Sequence, residues 1–201
     1  MKYPKLRELR EAIRAVLSGP YTTKFPKIPM PAPSNFRGLP KLDQEKCVAC
    51  GACVQVCPAN DLTLIDDREN RKRKIVLDIS ACIFCGQCEA YCTTGEGVKL
   101  TTDYDLATMD RTESIDEVEK ELLICDGCGA IISTIDHVRW VSERVGEKAY
   151  ANPTLMLSAL SNLSLVDRDR APSTGGYSRA DKIRILCPRC RREVTLVEDY
   201  A

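Results

Sequence analysis

Histidine is nearly missing from this chain: one residue in 201. Aromatic side chains are scarce as well, with one Trp, three Phe and seven Tyr. No stretch approaches the roughly 18 uninterrupted apolar residues that a membrane-spanning helix needs. Net charge is also absent, 29 Lys and Arg standing against 29 Asp and Glu. These shortages exclude a good deal. The lone His137 is not expected to be a ligand, since the four cysteines of its region suffice for one metal, and no residue pattern marks a nucleophile, a general base or an open metal position. Few aromatics and 29% charged residues leave a thin apolar core. Contact with a membrane is expected to run through a partner or an interface.

What the chain has in quantity is cysteine, twelve residues. Two runs share one spacing: CVACGACVQVCP, with Cys47, Cys50, Cys53 and Cys57, and CIFCGQCEAYC, with Cys82, Cys85, Cys88 and Cys92. An iron-sulfur cubane needs four converging thiolates, and a tight loop with a cysteine at every third residue delivers three of them from one side. In this spacing the last cysteine of each run serves the other cluster. Cys47, Cys50, Cys53 and Cys92 are therefore assigned to one 4Fe-4S cluster, and Cys82, Cys85, Cys88 and Cys57 to the second. Gly51 and Gly86 follow the second cysteine of each run, where the lack of a Cβ permits a tight turn that aims N–H groups at sulfur. Pro58 closes the first run; Thr93 stands at that place in the second, leaving the ligands intact and changing the surroundings. Zinc knuckles present cysteines in pairs, and eight thiols in two identical runs make an odd disulfide scaffold. Bound metal is expected to contribute much of the folding free energy.

The remaining four cysteines form two pairs, CDGC at Cys125 and Cys128 and CPRC at Cys187 and Cys190. Two such knuckles supply a tetrahedral site for one zinc or one iron, and spacing does not choose between them. The favoured role is a closed structural staple. A thioredoxin-like redox pair fits less well, because two pairs occur and neither lies in a βαβ pattern.

The fold class expected is α+β. Residues 1–42 form a docking helix and arm: KLRELREAIRAVLS, from 5 to 18, puts Leu6, Leu9, Ile13, Val16 and Leu17 on one face and Lys5, Arg7, Arg10 and Arg14 on the others, and Gly19 and Pro20 stop it. The proline-rich stretch that follows reads as an extended arm. Residues 43–102 form the two-cluster (8Fe) ferredoxin-like domain, a repeat of cysteine loop, short helix and strand with an offset of 35 residues, the strands being LTLI, KIVLDI and VKLTT. Residues 103–121 read as an acidic linker turning helical near EVEKELLI. Residues 122–201 form a small rubredoxin- or zinc-ribbon-like domain. Within it, Ile135, Val138, Val141 and Val145 mark one helix on which Trp140 packs, Pro153–Leu165 a second, VDRDRAPSTGGYSRA a loop, and IRIL and VTLV short strands beside the second knuckle.

Charge is unevenly placed. Residues 1–42 hold nine Lys or Arg against Glu8 and Glu11, whereas residues 103–121 hold eight acids against Arg111 and Lys120. The basic end suits anionic lipid, an acidic subunit or nucleic acid. The RKRK run at 71–74 is read as a solvated hairpin tip, since four basic residues are a weak nucleic-acid signal, and no nucleic-acid partner is expected. With no signal-peptide pattern and thiols that must stay reduced, the expected compartment is the cytoplasm.

The N-terminal helix, the arm ending in Asn35, Phe36, Arg37 and Gly38, and the two cysteine runs resemble the double-cluster subunit of complex I and of membrane-bound group 4 NiFe-hydrogenases. The added CDGC and CPRC pairs make the chain most similar to the formate hydrogenlyase branch. The resemblance implies an electron-transfer subunit without a catalytic site of its own. It would relay electrons from a donor module, a dehydrogenase or its ferredoxin-like subunit, to the hydrogenase small subunit. The helix and arm would dock on the large subunit and the membrane arm, placing the chain peripherally on the inner face of the membrane. A complex I-type quinone oxidoreductase subunit is the closest alternative; a soluble ferredoxin and a zinc-stabilised scaffold are more distant ones.

Overall fold

The computed structural model describes residues 5–161 and 183–196, in two units that meet between Phe36 and Arg37. The first unit is built around helix α1, Leu6–Ser18. The Glu8 carboxylate accepts the Lys5 N–H at 3.0 Å and so satisfies one of the amides that the first turn leaves open. Gly19, at φ 73°, ends the helix, its N–H donating to the Ala15 carbonyl at 3.0 Å, a left-handed position that glycine takes without steric cost. Within its own unit α1 buries no side chain. Residues 20–36 hold neither helix nor strand, as the prolines dictate.

In the second unit the chain runs through strand β1 (Pro40–Leu42), helix α2 (Ala52–Val56), strands β2 (Leu62–Asp67) and β3 (Lys72–Asp78), helix α3 (Gln87–Ala90), and strands β4 (Val98–Leu100), β5 (Ile115–Ile124) and β6 (Ile131–Thr134). It continues into helices α4 (Ile135–Val145), α5 (Pro153–Leu160) and α6 (Pro188–Leu196). β1 and β4 make a small antiparallel sheet, and β2, β3, β5 and β6 form a larger antiparallel sheet in that order. Ile75 and Leu77 alternate inward along β3 and meet Val118 of β5; all three are almost wholly buried, in one apolar cluster with Cys47 and Cys53.

Three expectations fail here, each for a physical reason. EVEKELLI is the body of β5. Its residues are good helix formers, but Glu117 and Glu119 face the bases of β3, with Lys74 3.2 Å from Glu117 and 3.5 Å from Glu119, and Lys72 against Glu119. Cross-strand charge pairing and the burial of Val118 and Leu122 override local preference. The acidic linker thus ends before Ile115, and β5 crosses the boundary expected at 121. RKRK, for its part, is not a hairpin tip beyond Arg71: Lys72, Arg73 and Lys74 belong to β3, and Arg73 holds Asp66 through Nε at 2.6 Å and Nη2 at 3.0 Å. Lastly, Val194, Thr195 and Leu196 of VTLV lie in α6, started by Pro188 in the first helical turn, while Val197 lies outside the described residues, and IRIL forms no strand. Ile185 exchanges two hydrogen bonds with Asp126, donating to its carboxylate at 3.0 Å and accepting its N–H at 2.9 Å.

The helix expected from Ile135 to Val145 is α4, capped by Thr134, whose hydroxyl accepts the His137 N–H at 3.2 Å. α5 covers the first eight residues of the second expected helix; its remainder from 162 and the loop VDRDRAPSTGGYSRA lie outside the described residues.

Gly38 fixes where this unit begins. A Cβ there would sit 2.2 Å from the Asp103 carbonyl and 2.8 Å from that of Thr101, the same Thr101 oxygen that accepts the Gly38 N–H at 2.9 Å. Backbone cannot yield as a side-chain tip can. Gly38→Ala is expected to cost about 1–3 kcal/mol, read as a lower midpoint in denaturant unfolding.

Candidate metal centres

The two cysteine runs fold alike, down to single dihedral angles. Ala49 and Phe84, 35 residues apart, both take a left-handed backbone (φ 48° and 54°), and so do Gly51 and Gly86 (φ 83° and 78°). The Ala49 N–H donates to Cys47 Sγ at 3.4 Å, and the Phe84 N–H to Cys82 Sγ at 3.4 Å. α2 and α3 then start directly after the glycines. Each loop thus curls its amides inward around sulfur.

Two pockets lie against these loops. The first is lined by Cys47, Cys50, Cys53 and Cys92, the second by Cys82, Cys85, Cys88 and Cys57. Each takes three cysteines from one run and the fourth from the other. Apolar side chains such as Leu42, Ile75 and Val98 complete the first wall. These eight cysteines are the residues that could hold two clusters, and a donor set of four sulfurs with N–H groups aimed at them suits a thiolate-bound cubane.

Burial pushes the Cys53 thiol up to about 12, with Cys47 and Cys50 adding repulsion, and it pushes Cys82 to about 12 as well. Cys47 and Cys88 are raised, again mainly by burial. Left alone, such thiols keep their protons at neutral pH; only a bound cation makes thiolates of them. At Cys92 burial works upward, but the Thr94 hydroxyl and the N–H groups of Val98, Gly97 and Thr94 outweigh it and bring the thiol below its usual value.

Several other side chains reach these sulfurs and the loops that carry them. Thr93, at the place of the second run's missing proline, sets its hydroxyl 3.1 Å from Cys50 Sγ and lines the first cavity. Asp61 is buried at the start of β2, its carboxylate against Cys57 Sγ and in the wall of the second cavity. The Arg73 guanidinium reaches the Ala49 carbonyl at 3.5 Å, and that of Arg37 reaches the Cys85 carbonyl at 3.2 Å. Of these, Thr93 was marked in the sequence by the missing proline, whereas nothing there marked Asp61.

The third group brings together Cys125, Cys128, Cys187 and Cys190, whose sulfurs all lie within 4.8 Å of one another. Cys125 directly follows β5 and Cys190 sits in the first turn of α6, so strand and helix deliver the two knuckles. Cys128 and Cys187 sulfurs are 3.7 Å apart; a tetrahedron with metal–sulfur bonds of about 2.3 Å has edges of about 3.8 Å. The Cys187 N–H donates to Cys125 Sγ at 3.2 Å and the Cys190 N–H to Cys187 Sγ at 3.5 Å. Hydrogen bonding from Cys190 brings the Cys187 thiol down to about 7. Cys128 alone of the four is exposed. His137 stands apart from this group: its Nδ1 is 2.7 Å from the Ser133 hydroxyl. Trp140 is half-buried on α4 with the Arg144 guanidinium 5.0 Å from its ring centre.

Residues 35–96 match the 4Fe-4S dicluster domain family. Formate hydrogenlyase subunit 6 of Escherichia coli K12 is 30% identical over 142 residues, covering 69% of this chain and 78% of that protein. NADH-quinone oxidoreductase subunit I 2 of Geobacter metallireducens is 33% identical, covering 57% of this chain and 93% of that protein. The chain belongs to this family of iron-sulfur electron-transfer subunits. Within the family, NAD(P)H-quinone oxidoreductase subunit I of Gloeobacter violaceus is 35% identical over 100 residues, and the chain spans 47% of it. A solved chain in the structure of the membrane-bound sulfane sulfur reductase, an archaeal respiratory membrane complex, is 27% identical at a TM-score of 0.40, covering 57% of this chain and 61% of that one. No helix among the described residues is long and apolar enough to cross a membrane.

The paired glycines give a direct check on the loops. A methyl group forces about 1–2 kcal/mol of left-handed strain at either position. At Gly51 it would also meet Leu64 Cδ1 at 2.8 Å, whereas at Gly86 the nearest atom, Leu100 Cδ1, is 3.3 Å away. Both alanine variants are expected to unfold at lower denaturant than the parent, Gly51→Ala the lower of the two.

Proposed function

We propose that the chain is the electron relay of a membrane-bound NiFe-hydrogenase of the formate hydrogenlyase type. In this reading Cys47, Cys50, Cys53 and Cys92 hold one 4Fe-4S cluster, Cys82, Cys85, Cys88 and Cys57 hold the other, and Cys125, Cys128, Cys187 and Cys190 hold a single structural zinc or iron. The observation that carries it is the grouping of eight cysteines, three and one, around two pockets. Bound cubanes supply one-electron redox chemistry. The chain's own part is to exclude water with Leu42, Ile75 and Val98 and to aim N–H groups at sulfur. Electrons would come from a dehydrogenase donor module or its ferredoxin-like subunit and leave for the hydrogenase small subunit.

The basic, amphipathic α1 and the arm behind it suit docking on the large subunit and the membrane arm, at the cytoplasmic face. Quinone oxidoreductase relatives support a complex I-type reading. The four-sulfur group at 125–190, and the longer match to formate hydrogenlyase subunit 6, favour the hydrogenase type.

Three outcomes are expected. Anaerobically purified chain should carry about eight cluster irons, and Cys57→Ser should abolish the paramagnetic signal of the cluster bound mainly by the second run, Cys92→Ser that of the first. If each variant instead empties the cavity of its own run, the crossed assignment is wrong. Cys128→Ser should lose the single metal, measured by elemental analysis, with the cluster irons retained. Leu9→Glu with Ile13→Glu should leave iron content intact but release the chain from the membrane fraction. Co-purification with a nickel-iron large subunit decides between the hydrogenase and quinone readings.

A further inference from the structure

The peptide unit joining Val48 to Ala49 is held from both ends. Its N–H points at Cys47 Sγ, 3.4 Å away, while its carbonyl accepts a hydrogen bond from the Thr134 hydroxyl, 86 residues along the chain. Thr134 is wholly buried where β6 passes into α4. The two bonds share one planar amide, so they are not independent. A donor on the carbonyl fixes the plane of the peptide and polarises it, making the N–H a better donor to sulfur. The second run repeats only half of this. The Phe84 N–H meets Cys82 Sγ at the same 3.4 Å, but the matching carbonyl, of Ile83, takes no hydrogen bond from the described residues, and Ile83 is 62% exposed.

We infer that Thr134 is a positioning residue for the first cluster: acting through the Val48–Ala49 peptide, it strengthens the N–H···S bond at Cys47 and raises that cluster's reduction potential relative to the second. The inference rests on the reading that Cys47, Cys50, Cys53 and Cys92 hold a cluster. Reduction adds one electron, taken from the reductant, and no proton moves. The added negative charge spreads onto the cysteine sulfurs, so a donor at sulfur favours the reduced form. Weakening that donor lowers the potential.

The test is a redox titration of the full iron-loaded chain, followed by electron paramagnetic resonance, with each signal assigned through Cys57→Ser and Cys92→Ser. Thr134→Val keeps the shape and removes the hydroxyl. It is expected to lower the reduction constant of the first cluster by up to about tenfold, a shift of at most about 59 mV for one electron, and to leave the second unmoved. Thr134→Ser restores the donor and should titrate like the parent. Asn152→Ala, which removes the cap of α5 (Thr154 N–H to Asn152 Oδ1, 3.0 Å), controls for lost helix capping and should move neither potential. Iron-replete Thr134→Val with both potentials unchanged, or both lowered equally, overturns the inference and leaves the cluster assignment standing. If Thr134→Val loses iron, loss confined to the first cluster and prevented in Thr134→Ser upholds the inference, and equal loss from both overturns it. A parent chain without iron overturns the cluster reading and this inference together.

Discussion

Neither half of the cysteine repeat completes its own cavity. Cys57 leaves the first run to face the sulfurs of the second, and Cys92 returns the exchange. The rest of the second unit can be understood as what this exchange requires. α2 and α3 must lie side by side, so both start from left-handed glycines that turn the chain within a single residue. The strands that follow, β2 and β4, belong to different sheets, and the apolar cluster of Leu62, Ile75, Leu77, Val98 and Val118 fills the space between. With so few aromatic side chains, that cluster is small. Cysteines are themselves part of it, so core packing and sulfur geometry are one problem with one solution.

The equivalence of the two halves ends at their surroundings. The first cavity has Thr93 beside Cys50, and its loop receives Arg73, whose charge is already taken by Asp66. The second has the buried Asp61 against Cys57, and its loop receives Arg37. Similar sulfurs placed in dissimilar fields acquire different electron affinities, which is what a relay with a direction needs. Such differences come from single side chains delivered by distant strands, not from the repeat itself.

Legibility in the sequence followed how local the cause was. The cysteine spacings, the glycines after them, the helical stripe of α1 and the alternation in LTLI and KIVLDI are set within a few residues, and the structure shows the corresponding loops, helix and strands. EVEKELLI misled because its partner, KRKI, lies more than 40 residues away, and only the pairing of Lys74 with Glu117 and Glu119 makes a strand of helix-forming residues. VTLV misled in the opposite sense, a β-branched segment carried into a helix by Pro188 and the burial of Cys190 and Val194. Asp61 and Thr134 were invisible for a further reason. A single polar residue has no period, and its meaning appears only when the fold brings a sulfur or a carbonyl to it.

β5 carries one more consequence. It is paired with β3 from Ile115 to Glu121, and β6 pairs with Leu122–Ile124. Over its first part β5 has, among the described residues, no strand paired on its outer side, the kind of edge onto which a neighbouring chain can add a strand of its own. Here the edge is defended. Gln44 occupies the Glu117 carbonyl, and Asp116 turns its carboxylate back to accept the Leu42 N–H at 2.8 Å. The acids that fasten β5 to β3 also line this stretch with negative charge, which disfavours the addition of a further strand along it.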